Sequence, residues 1–148
     1  MLIYGIIAAV FGGIFIALQG SINGMIGSKV GIFTTVIIPV IIQIIILCTM
    51  LLFNRRLWIN ILKLKDIEFG LGFLIISALL GLAIMSFLTF SIMKTDPLIV
   101  FAIVVFSQLF TAMIVEHFGF FEAAQKSISS YRVLGLIAIL VGIGLFYK

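Results

Sequence analysis

The residues best suited to chemistry in this sequence are amides that stand inside long apolar runs. Gln43 and Gln108 each fall near the middle of a run, whereas Gln19 and Asn23 lie one helical turn apart near the end of the first. An amide in hydrocarbon needs a hydrogen-bond partner, so each either joins helices or meets a polar solute. Two hydroxyl residues beside Gln108 complete the candidate substrate-binding set, which is Gln19, Asn23, Gln43, Ser107, Gln108 and Thr111.

Charged residues are missing from the middle of every apolar run. Buried carboxylates are the usual carriers in proton-coupled cation exchange, so this absence argues against a drug exchanger with a central acid. The nearest candidates for a proton relay are Glu116 and His117, at the end of the fourth run, and an interfacial charged pair is the alternative interpretation. No catalytic triad, phosphate-binding loop or metal-ligand spacing is present in the sequence. We therefore expect no enzyme, no metal and no cofactor.

The elements that must position these residues are membrane-spanning helices. Of the 148 residues, 64% are hydrophobic and only 9% are charged, which is too few charges for a water-facing surface. Runs of about 20 apolar residues cross the ~30 Å of hydrocarbon in a bilayer. The sequence predicts one all-α membrane domain over 1–148 with five helices, at about 2–22, 31–53, 69–93, 97–115 and 133–147.

Local signals place the ends of these helices. A glycine-rich turn over Gly24–Gly27 is predicted to end the first, and Asp96 followed by Pro97 is a favourable start for the fourth. Pro39 removes one backbone hydrogen bond inside the second and could kink it. Between the second and third helices, the basic segment Asn54–Glu68 contains the only tryptophan, Trp58, and is predicted to lie at the headgroup level.

The distribution of basic residues predicts the orientation. The side that holds the N-terminus carries six lysines and arginines, and the other side carries three: Arg55, Arg56, Lys63, Lys65, Lys126 and Arg132 against Lys29, Lys94 and Lys148. The positive-inside rule then places the N-terminus in the cytoplasm and the C-terminus outside. The bias is moderate, which leaves dual topology open.

Small residues at every fourth position form a stripe along the first helix. This small-residue stripe consists of Gly5, Ala9, Gly13, Ala17 and Ser21. Such a surface lets another backbone approach closely, so we interpret it as a helix-packing face, with a substrate pathway as the alternative. A chain with this surface is expected to have partners, either within itself or on a second copy.

Two stretches of the sequence resemble the YdcZ-type branch of the drug/metabolite transporter superfamily. The first is Ala17–Gly31, which reads ALQGSINGMIGSKVG. The second is Ser107–Leu145, which reads SQLFTAMIVEHFGFF, a short polar loop, and then SISSYRVLGLIAILVGIGL. The recurring motif positions are matched by Gln19, Asn23, Gln108, Glu116 and His117, and Glu116 stands where that branch usually has aspartate.

The resemblance implies one half of a ten-helix transporter built from two inverted five-helix halves. The resemblance gives no substrate, but the uncharged amides inside the spans lead us to expect a transporter of a small polar or amphiphilic metabolite. We expect it in the cytoplasmic (inner) membrane of a bacterium. It would work by alternating access, with a second copy or a homologous five-helix chain in the opposite orientation. The expected partners are the lipid bilayer, that second chain and the solute, with no nucleic acid. The alternative is an accessory subunit that packs against another membrane protein without transporting a solute.

Overall fold

The computed structural model describes residues 2–63 and 70–146, and every regular element within these ranges is helical. A short 3₁₀ turn, Phe120–Glu122, follows the fifth helix. The α-helices in chain order are α1 (Leu2–Val30), α2 (Ile32–Phe53), α3 (Arg55–Leu62), α4 (Gly70–Lys94), α5 (Pro97–Phe118) and α6 (Ser130–Phe146).

Five of these helices correspond to the five predicted spans. Among the described residues, α1, α2, α4 and α5 are long and apolar enough to cross a membrane, and α6 is a shorter apolar helix of 17 residues. That length lies at the lower limit of about 17–25 residues for a spanning helix. The prediction of an all-α membrane protein with five apolar helices is therefore confirmed.

The predicted end of the first helix is wrong. We expected a turn at Gly24–Gly27, but α1 continues through these residues to Val30 and ends at Gly31. The glycines serve a different purpose, because their missing side chains allow α4 to approach closely. A Cβ atom on Gly24 would collide with the side chain of Ile92, and one on Gly27 would lie 3.0 Å from Thr89 Cγ2.

A single residue connects α1 to α2. Gly31 has φ 88° and ψ 159°, a conformation that is essentially restricted to glycine. The helix α2 then runs without interruption through Pro39 to Phe53.

The remaining helix ends differ by a few residues from the predicted ones. The third span runs over Gly70–Lys94, and the predicted start at Phe69 lies outside the described residues. Asp96 caps α5 as predicted, with its side chain accepting a hydrogen bond from Leu98 N. This helix continues three residues past the predicted end to Phe118. The last helix begins at Ser130, and its predicted end at Tyr147 also lies outside the described residues.

The basic segment after α2 contains a separate amphipathic helix. In α3, the Asn54 side chain accepts a hydrogen bond from Arg56 N at 3.1 Å and so caps the first turn. Trp58 Nε1 donates to the Leu51 carbonyl at 3.0 Å, which ties the indole to the end of α2. Charged and apolar residues on opposite faces are typical of a helix at the headgroup level. The rest of the predicted segment, 64–68, lies outside the described residues.

The chain divides into two compact units, Met1–Lys94 and Thr95–Lys148. Unit 1 contains α1 to α4, and unit 2 contains α5, the 3₁₀ turn and α6. In unit 1 the most extensive helix pairing is between α1 and α4, and in unit 2 it is between α5 and α6. A single domain over 1–148 stays a prediction.

Candidate functional site

An open groove in unit 1 brings together two of the predicted amides. Its volume is about 640 Å³, and α1, α2 and α4 all contribute to its walls. Gln19 and Gln43 are the amide-bearing residues, and the other walls are apolar or small. We call this the amide groove, lined by Gln19, Val40, Gln43, Ile75, Ala78, Leu79, Gly81, Leu82 and Met85.

Both amides lie close to the middle of their helices. Gln43 is at the centre of α2, as predicted from the sequence. Gln19 was expected near the end of the first helix, but α1 is eight residues longer than predicted, and so Gln19 lies within one turn of its midpoint. Both side chains are exposed in the chain rather than buried between helices. Two hydrogen-bonding amides, each near the middle of its helix, therefore share one groove.

Asn23 and Gln19 lie one helical turn apart, but their surroundings differ. It is 7% exposed and belongs to the region where α1 and α4 pack closely, next to Gly24 and Gly27. On the α4 side, Thr89 is 1% exposed, and its Oγ1 has no hydrogen-bond partner among the described residues. This tight contact forms the closed end of the α1–α4 pair. Asn23 therefore lies in a packed interface rather than in the amide groove.

The glycines nearer the start of α1 and α4 have open surroundings. Gly5 and Gly13, from the small-residue stripe, and Gly72 on α4 would each meet nothing within 4 Å if they carried a Cβ atom. Within the stripe, Gly5, Ala9 and Gly13 are exposed, whereas Ala17 and Ser21 are half-buried. The close packing inside this chain uses glycines further along α1. The stripe's role as a packing face stays a prediction, and its first three members remain accessible to another helix or to lipid.

The predicted polar patch on α5 lies in unit 2. Ser107, Gln108 and Thr111 are all exposed. Ser107 Oγ donates to the Ile103 carbonyl at 2.9 Å, so this hydroxyl already has a partner within its own helix. Because an α-helix advances about 100° per residue, Ser107 and Thr111 lie on one side of α5, and Gln108 lies between that side and Ala112. The role of the patch in binding a solute stays a prediction.

A second groove lies between α5 and α6, with an ion pair at its mouth. Its volume is about 300 Å³. Arg132 Nη1 donates to Glu116 Oε2 at 2.9 Å, and Lys126 Nζ lies 3.9 Å from the same oxygen. All other lining residues are apolar or small. We call this the charged groove, lined by Leu109, Ala112, Met113, Glu116, Arg132, Gly135, Leu136 and Ile139.

The connection after α5 holds this ion pair in place. Gly119 adopts φ 68° and ψ 27° and ends the helix, with its N–H donating to the Val115 carbonyl. The chain then folds back, so that Lys126 N donates to the Glu116 carbonyl at 3.0 Å. Gln125 Nε2 donates to the His117 carbonyl at 3.2 Å. Backbone and side-chain bonds together therefore return Lys126 and Arg132 to the end of α5.

Glu116 and His117 have different environments despite being adjacent. Glu116 is engaged with two cations, whereas His117 contacts Phe118 edge-on and has a buried Nδ1 without a partner among the described residues. The alternative interpretation from the sequence paired these two residues with each other, but the carboxylate pairs instead with Arg132 and Lys126. A proton relay through Glu116 and His117 stays a prediction. In the described part of the chain, no group of three or more potential metal-ligating residues comes together.

Comparison with known protein families identifies the class of this protein. The family model described as "Putative inner membrane exporter, YdcZ" matches residues 4–145. The chain belongs to this family. The match covers both units and confirms the resemblance carried by the two motif stretches. No curated protein and no solved structure matches the chain.

Membership of the YdcZ family establishes the class and location of the protein. It is a multi-pass protein of the inner membrane, and an exporter is a transporter rather than an enzyme. Both grooves lie within the matched region. In this YdcZ-family chain the partners of Glu116 differ from those expected from the sequence, where Lys126 and Arg132 indicate only the orientation in the membrane. The available signal was the order of charges in a helical hairpin, with an acid ending one helix and an arginine starting the next.

Proposed function

We propose that this protein moves a small polar or amphiphilic metabolite across the inner membrane and that the amide groove forms part of its solute-binding surface. The observation that carries this proposal is the convergence of Gln19 and Gln43 in one groove at mid-helix depth. Amides supply both donors and acceptors without a charge, so they can bind a hydroxyl, amide or zwitterionic solute. The apolar walls suit an amphiphilic solute.

The absence of charge in the amide groove bears on the class of solute. Its walls contain no lysine, arginine, aspartate or glutamate. An ion that enters this groove from water finds no residue of opposite charge there, so its transfer out of water is costly. A solute with no net charge is therefore favoured over a cationic drug. Gln108, Ser107 and Thr111 are proposed as a further polar surface for the same class of solute.

We propose further that the active transporter contains a second five-helix chain, either another copy or a homologue, in the opposite orientation. The odd number of spans places the two termini on opposite sides of the membrane and is typical of one half of an inverted repeat. The accessible part of the small-residue stripe offers a surface for such a partner. Alternating access would follow if the close contact of α1 with α4 at Gly24 and Gly27 were present in one state and released in the other.

The orientation proposed for this chain has the N-terminus in the cytoplasm and the C-terminus outside. Support comes from the basic side chains of Arg55, Arg56, Lys126 and Arg132, which all belong to the predicted cytoplasmic side. We also propose a bacterial source, which the inner-membrane location of the family supports. Reporters fused after Lys148 distinguish the two orientations, because cytoplasmic activity of the fusion would contradict the proposal.

The binding step is tested by a thermal-shift screen of uncharged and zwitterionic metabolites on the purified protein. A solute that binds only the folded state increases the free energy of unfolding by mass action, by about 2.7 kcal/mol at one hundred times its Kd, and so raises the unfolding temperature. Gln19→Leu and Gln43→Leu should abolish this shift, because leucine keeps the volume but removes the hydrogen bonds. Thr49→Val is the matched control, since Thr49 Oγ1 bonds to the Ile45 carbonyl on α2 away from the groove.

Two outcomes would contradict the proposal. If stabilising solutes shift the Gln19→Leu/Gln43→Leu variant as much as the unmodified protein, the amide groove is not the binding surface. If no metabolite stabilises the protein and it copurifies with an unrelated complex, the accessory-subunit alternative is supported instead.

A further inference from the structure

The charged groove has apolar walls and an excess of positive charge at its mouth. Within 4 Å of Glu116 Oε2 there are two cationic groups, those of Arg132 and Lys126, and one carboxylate cannot neutralise both. The side chains of these two basic residues are 36% and 55% exposed, respectively. Only Nη1 of the arginine bonds to Glu116, so its other N–H groups have no acceptor among the described residues. The mouth can therefore accept an anion.

The groove extends from this mouth along both helices toward the membrane interior. On α5 its lining runs from Glu116 back to Leu109, and on α6 from Arg132 forward to Ile139. Each distance is two helical turns, or about 10 Å. The mouth lies where α5 ends and α6 begins, beside the polar connection over 119–129, which is the level of lipid headgroups. A polar head at the mouth would thus have its apolar tail directed toward the membrane centre.

Small residues keep the channel open. Ala112 on α5 and Gly135 on α6 are exposed lining residues, and a Cβ atom on Gly135 would meet nothing within 4 Å. Leu109, at the inner end, is 46% exposed. A straight apolar chain fits such a space, and no charged residue is present beyond the mouth to interrupt it.

From these observations we propose that the charged groove binds one anionic phospholipid, with its phosphate at Arg132 and Lys126 and an acyl chain along Gly135. Basic pockets between membrane helices bind lipid headgroups in this way. Glu116 positions the guanidinium at the mouth and at the same time limits the net positive charge to one. This site is distinct from the amide groove and does not depend on the transport proposal.

The test measures lipids retained by the purified full-length chain with native mass spectrometry. The protein is equilibrated with mixed micelles that contain equal amounts of dioleoyl phosphatidylglycerol and dioleoyl phosphatidylcholine. The unmodified chain should retain the anionic lipid in preference to the zwitterionic one. In the Lys126→Gln/Arg132→Gln variant this preference should fall by roughly fivefold or more for each cation removed. The matched control, Arg55→Gln/Arg56→Gln, removes two cations from α3 and should keep the preference.

A second pair of variants tests the channel without changing any charge. Gly135→Leu should fill the groove and reduce the retained phosphatidylglycerol to the level of phosphatidylcholine. Gly142→Leu is the control on the same helix, because a Cβ atom there also meets nothing within 4 Å, and Gly142 does not line the groove. Equal retention of the two lipids by the unmodified chain would overturn the inference. So would an unchanged preference in the Lys126→Gln/Arg132→Gln variant or equal losses in either control.

Discussion

The amide groove and the charged groove have similar walls but carry different polar groups. Both are lined mainly by apolar and small residues, including one glycine in each, Gly81 in the amide groove and Gly135 in the charged groove. The amide groove has neutral polar groups at mid-helix depth, whereas the charged groove has ions where two helices end. The cost of a charge rises steeply toward the membrane centre, which explains this division. Depth, more than shape, therefore indicates which groove suits a neutral solute and which suits a headgroup.

The largest loss of stability is expected from placing a large side chain where α1 and α4 pack closely. Gly24→Leu should destabilise unit 1 by about 3 kcal/mol, because its side chain would have to displace Ile92 at the closed end of the helix pair. Gly72→Leu is the control, because a Cβ atom there meets nothing within 4 Å, and it should change stability by less than about 0.5 kcal/mol. Thermal unfolding of both variants in the same detergent measures the difference. Equal unfolding temperatures would show that α1 and α4 do not pack as described, and the walls of the amide groove would then be in doubt.

An intermediate effect is expected at the two glycines that shape the connections. Gly31 has a conformation that asparagine does not adopt, so Gly31→Asn should cost about 1–3 kcal/mol. Gly119 is in the left-handed helical region, which asparagine tolerates, and Gly119→Asn should cost less than about 1 kcal/mol. Unfolding temperatures of the two variants compare one connection in each unit. A larger loss for Gly119→Asn would reverse the expected order.

The smallest effect is expected from the ion pair of the charged groove. Glu116 and Arg132 are each 36% exposed, so water screens their attraction, and their coupling energy should be about 0.5 kcal/mol. A double-mutant cycle with Glu116→Gln and Arg132→Gln measures it, and added salt should reduce it. A coupling that is large and independent of salt would mean that the pair is structural and buried. Such a result would argue against an exposed headgroup site.

The sequence was sufficient to predict the five apolar helices but neither α3 nor the way the helices pack. Apolar run length gave all five spans, and the Asp96–Pro97 start of α5 was correct because capping depends on adjacent residues. The predicted end of α1 was wrong because glycines occur both in turns and at close helix contacts. Only the position of α4 distinguishes these two roles.

The same limit applied to the candidate site residues. Gln43 was correctly placed at mid-helix, since its depth depends only on α2. The meeting of Gln19 with Gln43, and the burial of Asn23 one turn away, depend on which side of α1 faces its neighbours. An amphipathic pattern normally reveals that side, but α1 is apolar on all sides, as membrane helices are. The partners of Glu116 depend on the fold of the connection after Gly119. The order of charges along the hairpin indicates such a pairing, but it does not determine how the connection folds.

The most direct test of the central claim is solute flux through the amide groove. Proteoliposomes that contain the purified chain are loaded with a metabolite identified by thermal shift, and its release is compared among the unmodified protein, Gln19→Leu/Gln43→Leu and the Thr49→Val control. Losing two hydrogen bonds to the solute, at about 1 kcal/mol each, should slow flux by roughly thirtyfold in the double variant. The control should keep the rate of the unmodified protein. Undiminished flux in a folded Gln19→Leu/Gln43→Leu variant would contradict the assignment of the amide groove as the solute-binding surface.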